Sequence, residues 1–205
     1  MATMTKLKSG WKAILAKLTL FSGSHKDRSN GLCAMEAAAW IANEPHSDSP
    51  ACVCPVIGAF MRSWNDALPD NETRDRLLKP LIPLTINTRG DKALEEKRAF
   101  MCVDWVVRTF TPEWLELCDK ERYAKHIAVL RATPEVTDWK TLIDVTPVLV
   151  NAQKEAAAAW DAARAAARAA AGDAAWAAAR DAAWAAASYA VKEKQTARFK
   201  KMVKR

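Results

Sequence analysis

Residues 156–190 read AAAAWDAARAAARAAAGDAAWAAARDAAWAAASYA, and the fold class follows from this stretch first. Most of its residues that are not alanine fall in steps of four: Trp160, Arg164, Arg168, Gly172, Trp176, Arg180, Trp184 and Ser188. Alanine is the best helix former because it loses no side-chain entropy, and no proline or β-branched residue interrupts the run before Val191. The tract is therefore expected to be helical. A helix turns about 100° per residue, so steps of four drift by about 40° each, and Trp176 lies roughly 160° around from Trp160. One straight stripe cannot hold all three tryptophans. Either a single rod is wrapped by partners on several sides, or Gly172-Asp173 acts as a C-cap followed by an N-cap and the tract folds back as a hairpin. The cap residues favour the hairpin.

Upstream of the tract the pattern is helical throughout. Leu7, Trp11, Ile14, Leu15 and Leu18 recur at helical spacing within residues 5–21, among Lys6, Lys8, Lys12 and Lys17, which reads as a basic amphipathic helix. A short helix is expected from about Cys33 to Asn43, with Glu36 projecting from it. Next comes an irregular connection, EPHSDSPACVCP, over residues 44–55. Pro55 opens a helix that runs to about Leu68, with Ile57, Phe60, Met61 and Trp64 on one face. Asp70 or Asn71 caps the next helix, which Pro80 and Pro83 shorten. Residues 92–110 contain AFMCVDWVVR, apolar nearly all round, and are expected to form the central helix of the core. Asp104 lies within it and Arg108 one turn on, the spacing of an ion pair. Thr111-Pro112-Glu113 starts another helix; Tyr123, Ile127 and Leu130 continue the apolar face; and Thr137-Asp138 starts a last globular helix, Leu142 to Val150, which Pro147 interrupts. Strand patterns are absent. The expected fold is all-α: a helical core domain over residues 1–150, a long alanine-rich helix or helical hairpin over 151–190, and a basic tail over 191–205. Nearly all the large aliphatic side chains precede residue 150, so that part is expected to fold without the remainder.

The net charge of +7 belongs to the two ends. Residues 1–28 carry six Lys and Arg against one acid, residues 191–205 carry seven against one, and everything between is net acidic. Basic ends of this kind suit nucleic acid, an anionic membrane surface or an acidic partner. The five cysteines, Cys33, Cys52, Cys54, Cys102 and Cys118, are an odd number, and the short apolar N-terminus is interrupted by Lys17, so a reduced, cytoplasmic setting is expected. No apolar run approaches the roughly 20 residues of a membrane span.

The densest group of chemically capable side chains is Cys33, Glu36, His46, Asp48, Cys52 and Cys54. Cys33, His46, Cys52 and Cys54 are of the types that bind zinc, but their spacing matches no finger or ribbon. A nucleophile reading takes Cys52 or Cys54 with His46 as base and Asp48 or Glu36 as orienting carboxylate. Against both stands packing of the thiols as small apolar groups and capping by His46 and Asp48 in a proline-rich loop. No Gly-rich phosphate loop, His-Glu-x-x-His or Gly-x-Ser-x-Gly motif occurs, so no cofactor is expected.

The segments GLCAMEAAAWIANEPHSDSPACVCPVIGAFMRSWNDALPD and TRGDKALEEKRAFMCVDWVVRTFTPEWLELC, followed by the alanine/tryptophan tract, resemble a group of uncharacterised bacterial and phage-associated proteins of largely actinobacterial type. The resemblance spans Gly31 to Ala190. It implies a helical domain carrying the tract, and it implies no activity and no catalytic residue.

These observations point to a non-enzymatic interaction or assembly module. The tract, through Trp160, Trp176, Trp184, Arg164, Arg168 and Arg180, is expected to serve self-association, giving a homo-oligomer, or a protein partner, including a host protein bound by a phage-type protein. The alternative is non-specific binding of nucleic acid through the basic termini, with Arg198, Lys200, Lys201, Lys204 and Arg205 as contacts. A small hydrolase or metal protein built on the His46 loop is third.

Overall fold

The computed structural model describes residues 4–151, 153–154, 195–196 and 198–203. All regular structure among them is helical, and none of these helices is long and apolar enough to cross a membrane. The alanine/tryptophan tract, with its choice between rod and hairpin, lies outside the described residues. Chain contacts gather Met1–Ala99 with Lys192–Arg205 in one compact unit and Phe100–Val191 in another. The compositional boundary near residue 150 falls inside the second unit.

Unit 1 begins with an extended segment, residues 4–8, followed by α1, Trp11–Lys17. The helix expected over 5–21 is shorter because Gly10 sits at φ 72°, a left-handed conformation that only glycine adopts freely, and it turns the chain into α1. α2, Ala34–Ile41, follows a 3-10 turn at Arg28–Asn30. α3, Pro55–Ala67, starts with proline at its first position, where the missing N–H costs no hydrogen bond. Asp70 caps α4, Asn71–Leu78, by accepting from Thr73 N at 2.7 Å. α5, Ile82–Thr85, is a single turn that follows Pro80 and carries Pro83 within its first turn, where a missing N–H costs no hydrogen bond.

The helix wrapped on all sides is α2, in place of the segment expected from its apolar run. Ala34, Met35, Ala37, Ala38, Ala39 and Ile41 have no exposed surface, and α2 packs against α1, α3 and α5. Four alanines let three neighbouring backbones approach closely, since interhelix distance follows side-chain size.

The C-terminal segment 198–203 is helical, and Phe199 and Met202 are fully buried in unit 1, with Phe199 stacked on Phe60 at 6.2 Å. The core of this unit therefore draws on the end of the chain. That differs from the expectation that the first 150 residues suffice.

α6, Lys92–Trp105, carries the boundary between the units within it. In unit 2 it runs through a π-turn, Val106–Phe110, into α7, Thr111–Asp119, where a new helix start was expected. Pro112 has no N–H to give the carbonyl four residues back, and its ring would strike that turn. The wider turn resolves this, with Thr111 N–H donating to Val106 O, five residues earlier. α8 spans Ala124–Ala132. α9, residues 139–151, starts at the expected Thr137-Asp138 position, where Asp138 caps it by accepting from Thr141 N at 2.8 Å, and it continues through Pro147 where an interruption was expected. Phe100, Val107, Leu115, Ile127, Leu130, Val136 and Val145 form the core of this unit. Asp104 is buried; Arg108 Nε lies 2.9 Å from its Oδ1, and Val136 N donates to the same oxygen at 3.1 Å.

Candidate functional site

Glu36 is the buried carboxylate around which the sequence's candidate residues are arranged. It sits in the first turn of α2, a helix buried on nearly every face, so its side chain cannot reach water; it is 1% exposed, where projection had been expected. Cys33 N donates to Oε2 at 2.7 Å, and Cys33 Sγ accepts from Glu36 N at 3.4 Å, a capping box with a thiol in the place of a hydroxyl. His25 completes the coordination from the loop before α2: its N–H donates to Oε1 at 2.6 Å and its Nδ1 to Oε2 at 2.8 Å. His46 Nε2 donates to His25 O at 2.9 Å and lies 3.6 Å from Oε1.

Burial acts to raise the Glu36 pKa, but the N–H groups of Cys33 and His25 and the His25 side chain outweigh it, and the carboxyl is held below its ordinary range. The opposite holds for the thiols. Burial, followed by the adjacent Glu36 charge, pushes Cys33 up to about 12, and burial with the Glu44 carboxylate pushes Cys52 up to about 11. Burial thus favours the neutral thiol over the nucleophilic thiolate in both cysteines.

The expected constellation is thus divided. Glu36 and His46 meet. Asp48 turns to Arg62, with Oδ2 3.9 Å from Nε, and the Asp48 carbonyl accepts from Arg62 Nη1 at 2.9 Å. Cys52 N donates to Glu44 Oε1 at 2.9 Å. Cys54 is fully buried, and its N–H donates to Thr88 Oγ1 at 3.0 Å. Among the described residues no group of three or more His, Cys, Asp or Glu side chains is placed to hold a metal ion, so Cys33, His46, Cys52 and Cys54 form no such site.

His25 gave no periodic signal in its polar loop; the only clue in the sequence was that a glutamate on a buried helix needs a partner. The imidazole's outer edge is closed off, because Gly31, at φ 115°, lies so near that a Cβ there would stand 3.0 Å from His25 Nε2. The cluster clasps the 21–33 loop to α2. A polar cleft of about 320 Å3 nearby is lined by Ser24, Cys33, Asp48, Arg62, Ser63 and Asp66. Its charges are engaged internally: Arg62 as above, and Asp66 Oδ1 accepting from Gly23 N at 2.7 Å and Asn65 Nδ2 at 2.8 Å.

Unit 2 presents a surface of a different kind. α9 turns Val145 inward and leaves Trp139 64%, Ile143 67% and Val150 42% exposed, on one face at spacings of four and seven. Beside this ridge, Val129, Leu130, Pro147 and Val148 line an apolar groove of about 290 Å3. Trp160, Trp176, Trp184, Arg164, Arg168 and Arg180 lie outside the described residues, as do Lys204 and Arg205; Arg198 is half-buried, and Lys200 and Lys201 are exposed. Comparison with protein-family models, curated proteins and solved structures returned no match.

Proposed function

We propose that the protein is a non-enzymatic interaction and assembly module whose second unit pairs with another copy of the same chain. The observation that carries this reading is the exposed ridge of Trp139, Ile143 and Val150 on α9. Scattered exposed apolar residues need no explanation, but a continuous face with an aromatic anchor marks an interaction surface. Lys140 and Asp144 stand exposed beside the ridge, one turn apart and of opposite charge. In an antiparallel pair of α9 helices about a two-fold axis, the lysine of each copy meets the aspartate of the other. The alanine/tryptophan tract follows α9 in sequence, and its small residues and tryptophans suit extension of the same contact.

Sedimentation velocity of the full chain over a wide concentration range tests this. The expected result is a concentration-dependent shift from monomer to dimer, abolished by Ile143→Asp and weakened by Trp139→Ser, with unchanged helical circular dichroism. A wild type that stays monomeric, or an Ile143→Asp variant that associates like wild type, rejects it. A monomer that binds a foreign protein through the same ridge would replace the second copy with a host partner.

A further inference from the structure

The two basic ends of the chain are tied to one turn in unit 1. Thr5 N donates to Asn87 Oδ1 at 2.8 Å, and Asn87 Nδ2 donates to Thr5 O at 2.9 Å. At the next residue, Thr88 O accepts from Arg98 Nη1 at 2.5 Å, and Arg98 Nε donates to Met202 O at 2.9 Å. Lys6 and Lys8 thus stand at one end of a short chain of hydrogen bonds, and Lys200 and Lys201 at the other. Lys6, Lys200 and Lys201 are exposed and Lys8 is half-buried, and none of the four forms an ion pair among the described residues. The acids nearest in sequence to the turn are otherwise engaged, Glu95 with Arg89 at 3.5 Å and Asp91 in capping Leu94 N at 2.8 Å. The segments of unit 1 hold 21 Lys and Arg against 12 Asp and Glu, whereas residues 100–191 hold 10 against 12. A charge of +7 spread over the whole sequence is therefore +9 on one unit and −2 on the other.

We infer that this lysine cluster is a docking surface for the phosphate backbone of a nucleic-acid duplex. Cations from two segments bonded to the same turn neutralise phosphates and release their counterions, which drives binding without reference to sequence. The surroundings favour a duplex over the other polyanions. Single-strand binding uses exposed aromatic rings on which bases stack. Here Phe199 is fully buried against Phe60, and Trp11 carries Lys12 over its ring at 5.7 Å. An anionic membrane would require an apolar face to enter the interface. α1 buries Leu15 and exposes Lys12, Ala13, Ala16 and Lys17 instead. Met4, Phe21 and Leu84 are exposed, but they belong to three separate segments and form no apolar face along one helix of the kind that enters a membrane interface.

The inference goes beyond the proposed self-association and concerns the other unit. Fluorescence anisotropy of the full chain with a labelled mixed-sequence DNA duplex, as a function of salt, tests it. Four phosphate contacts give a slope of about −3.6 in log affinity against log salt, or roughly 150-fold loss of affinity between about 50 and 200 mM. Lys6→Gln with Lys8→Gln, and separately Lys200→Gln with Lys201→Gln, should each reduce that loss to roughly 12-fold, because two contacts disappear. Lys120→Gln with Lys154→Gln, in unit 2, should leave the slope unchanged. All six positions are at or near the surface, and thermal melts confirm that each variant folds. Absence of duplex binding at the lowest salt, or slopes unchanged in both unit 1 variants, overturns the inference. So does an equal flattening in the unit 2 control, or tighter binding to a single strand or to phosphatidylglycerol vesicles than to duplex.

Discussion

Replacing Phe199 with alanine removes a side chain whose segment composition marks it as solvated and whose structure makes it core. The ring has no exposed surface, stacks on Phe60 at 6.2 Å with an interplanar angle of 29°, and lies in the same short helix as the fully buried Met202. Truncation of a buried phenylalanine costs about 3–5 kcal/mol, as lost transfer energy plus the cavity left behind. Phe60 is only half-buried and can settle into part of the vacated space, so the lower end, about 3 kcal/mol, is expected. Against a typical domain stability of about 5–15 kcal/mol this is a large fraction, and it lowers the melting temperature by several degrees per kcal/mol. Urea denaturation of the full chain, followed by circular dichroism, should show the transition of unit 1 at a lower midpoint. Lys200→Ala and Lys201→Ala, neighbours in the same helix but exposed, should fall within about 0.5 kcal/mol of wild type. Deleting residues 192–205 should destabilise unit 1 at least as much as Phe199→Ala. A Phe199→Ala protein within about 0.5 kcal/mol of wild type would refute the reasoning and return the tail to solvent.

Three further outcomes follow from the same packing. Asp104→Asn and Arg108→Met, made singly and together, should show a coupling of about 1–2 kcal/mol, below the value for a fully buried pair because the Arg108 side chain is 35% exposed; strictly additive effects would mean the 2.9 Å contact contributes nothing. Glu36→Gln should destabilise at neutral pH, and its deficit should narrow in acid. A carboxyl whose folded pKa lies below its unfolded value adds stability above the unfolded pKa and loses it as pH falls through the folded one, so a deficit constant down through the carboxylate range would contradict the clasp. Cys33 and Cys52, with pKa values near 12 and 11, should resist iodoacetamide in the native protein and react once it is denatured, as read by mass spectrometry; rapid native labelling of either would revive the nucleophile reading.

Helix identity was legible wherever a cap or a proline announced it. Pro55, Asp70 and the prolines at 80 and 83 stand where the sequence implies boundaries, because proline acts through its own backbone and Asp70 through a side-chain bond to an N–H three residues on, so neither needs a distant partner. What depended on distant partners was not legible. Glu36 reads as a surface acid until the surrounding alanines are seen to be enclosed, and His25 reads as loop until the carboxylate beside it is buried. The π-turn before Pro112 resolves a steric conflict with a geometry that no periodicity encodes. The tail was misleading for a physical reason: its cations dominate composition, yet Phe199 and Met202 recur at i and i+3, the spacing of a helix with one buried edge.

Arg98 explains how a unit split in sequence can close. It is 1% exposed, and its guanidinium reaches Thr88 O and Met202 O, one carbonyl from the segment before residue 100 and one from the segment after residue 191. The first segment of unit 1 ends at Ala99, one residue after Arg98, so a side chain beside the point of exit is bonded to the segment that returns. A lysine could not substitute, since a single ammonium lacks the planar fork that spans two carbonyls in fixed directions. Burying a cation is expensive, and the two carbonyls offset part of that cost by accepting hydrogen bonds from Nε and Nη1. The same contact that completes the core also draws the basic C-terminus to the turn that holds the basic N-terminus. Charge density in unit 1 is therefore a consequence of how its core is closed, and any affinity for polyanions depends on the last helix being in place.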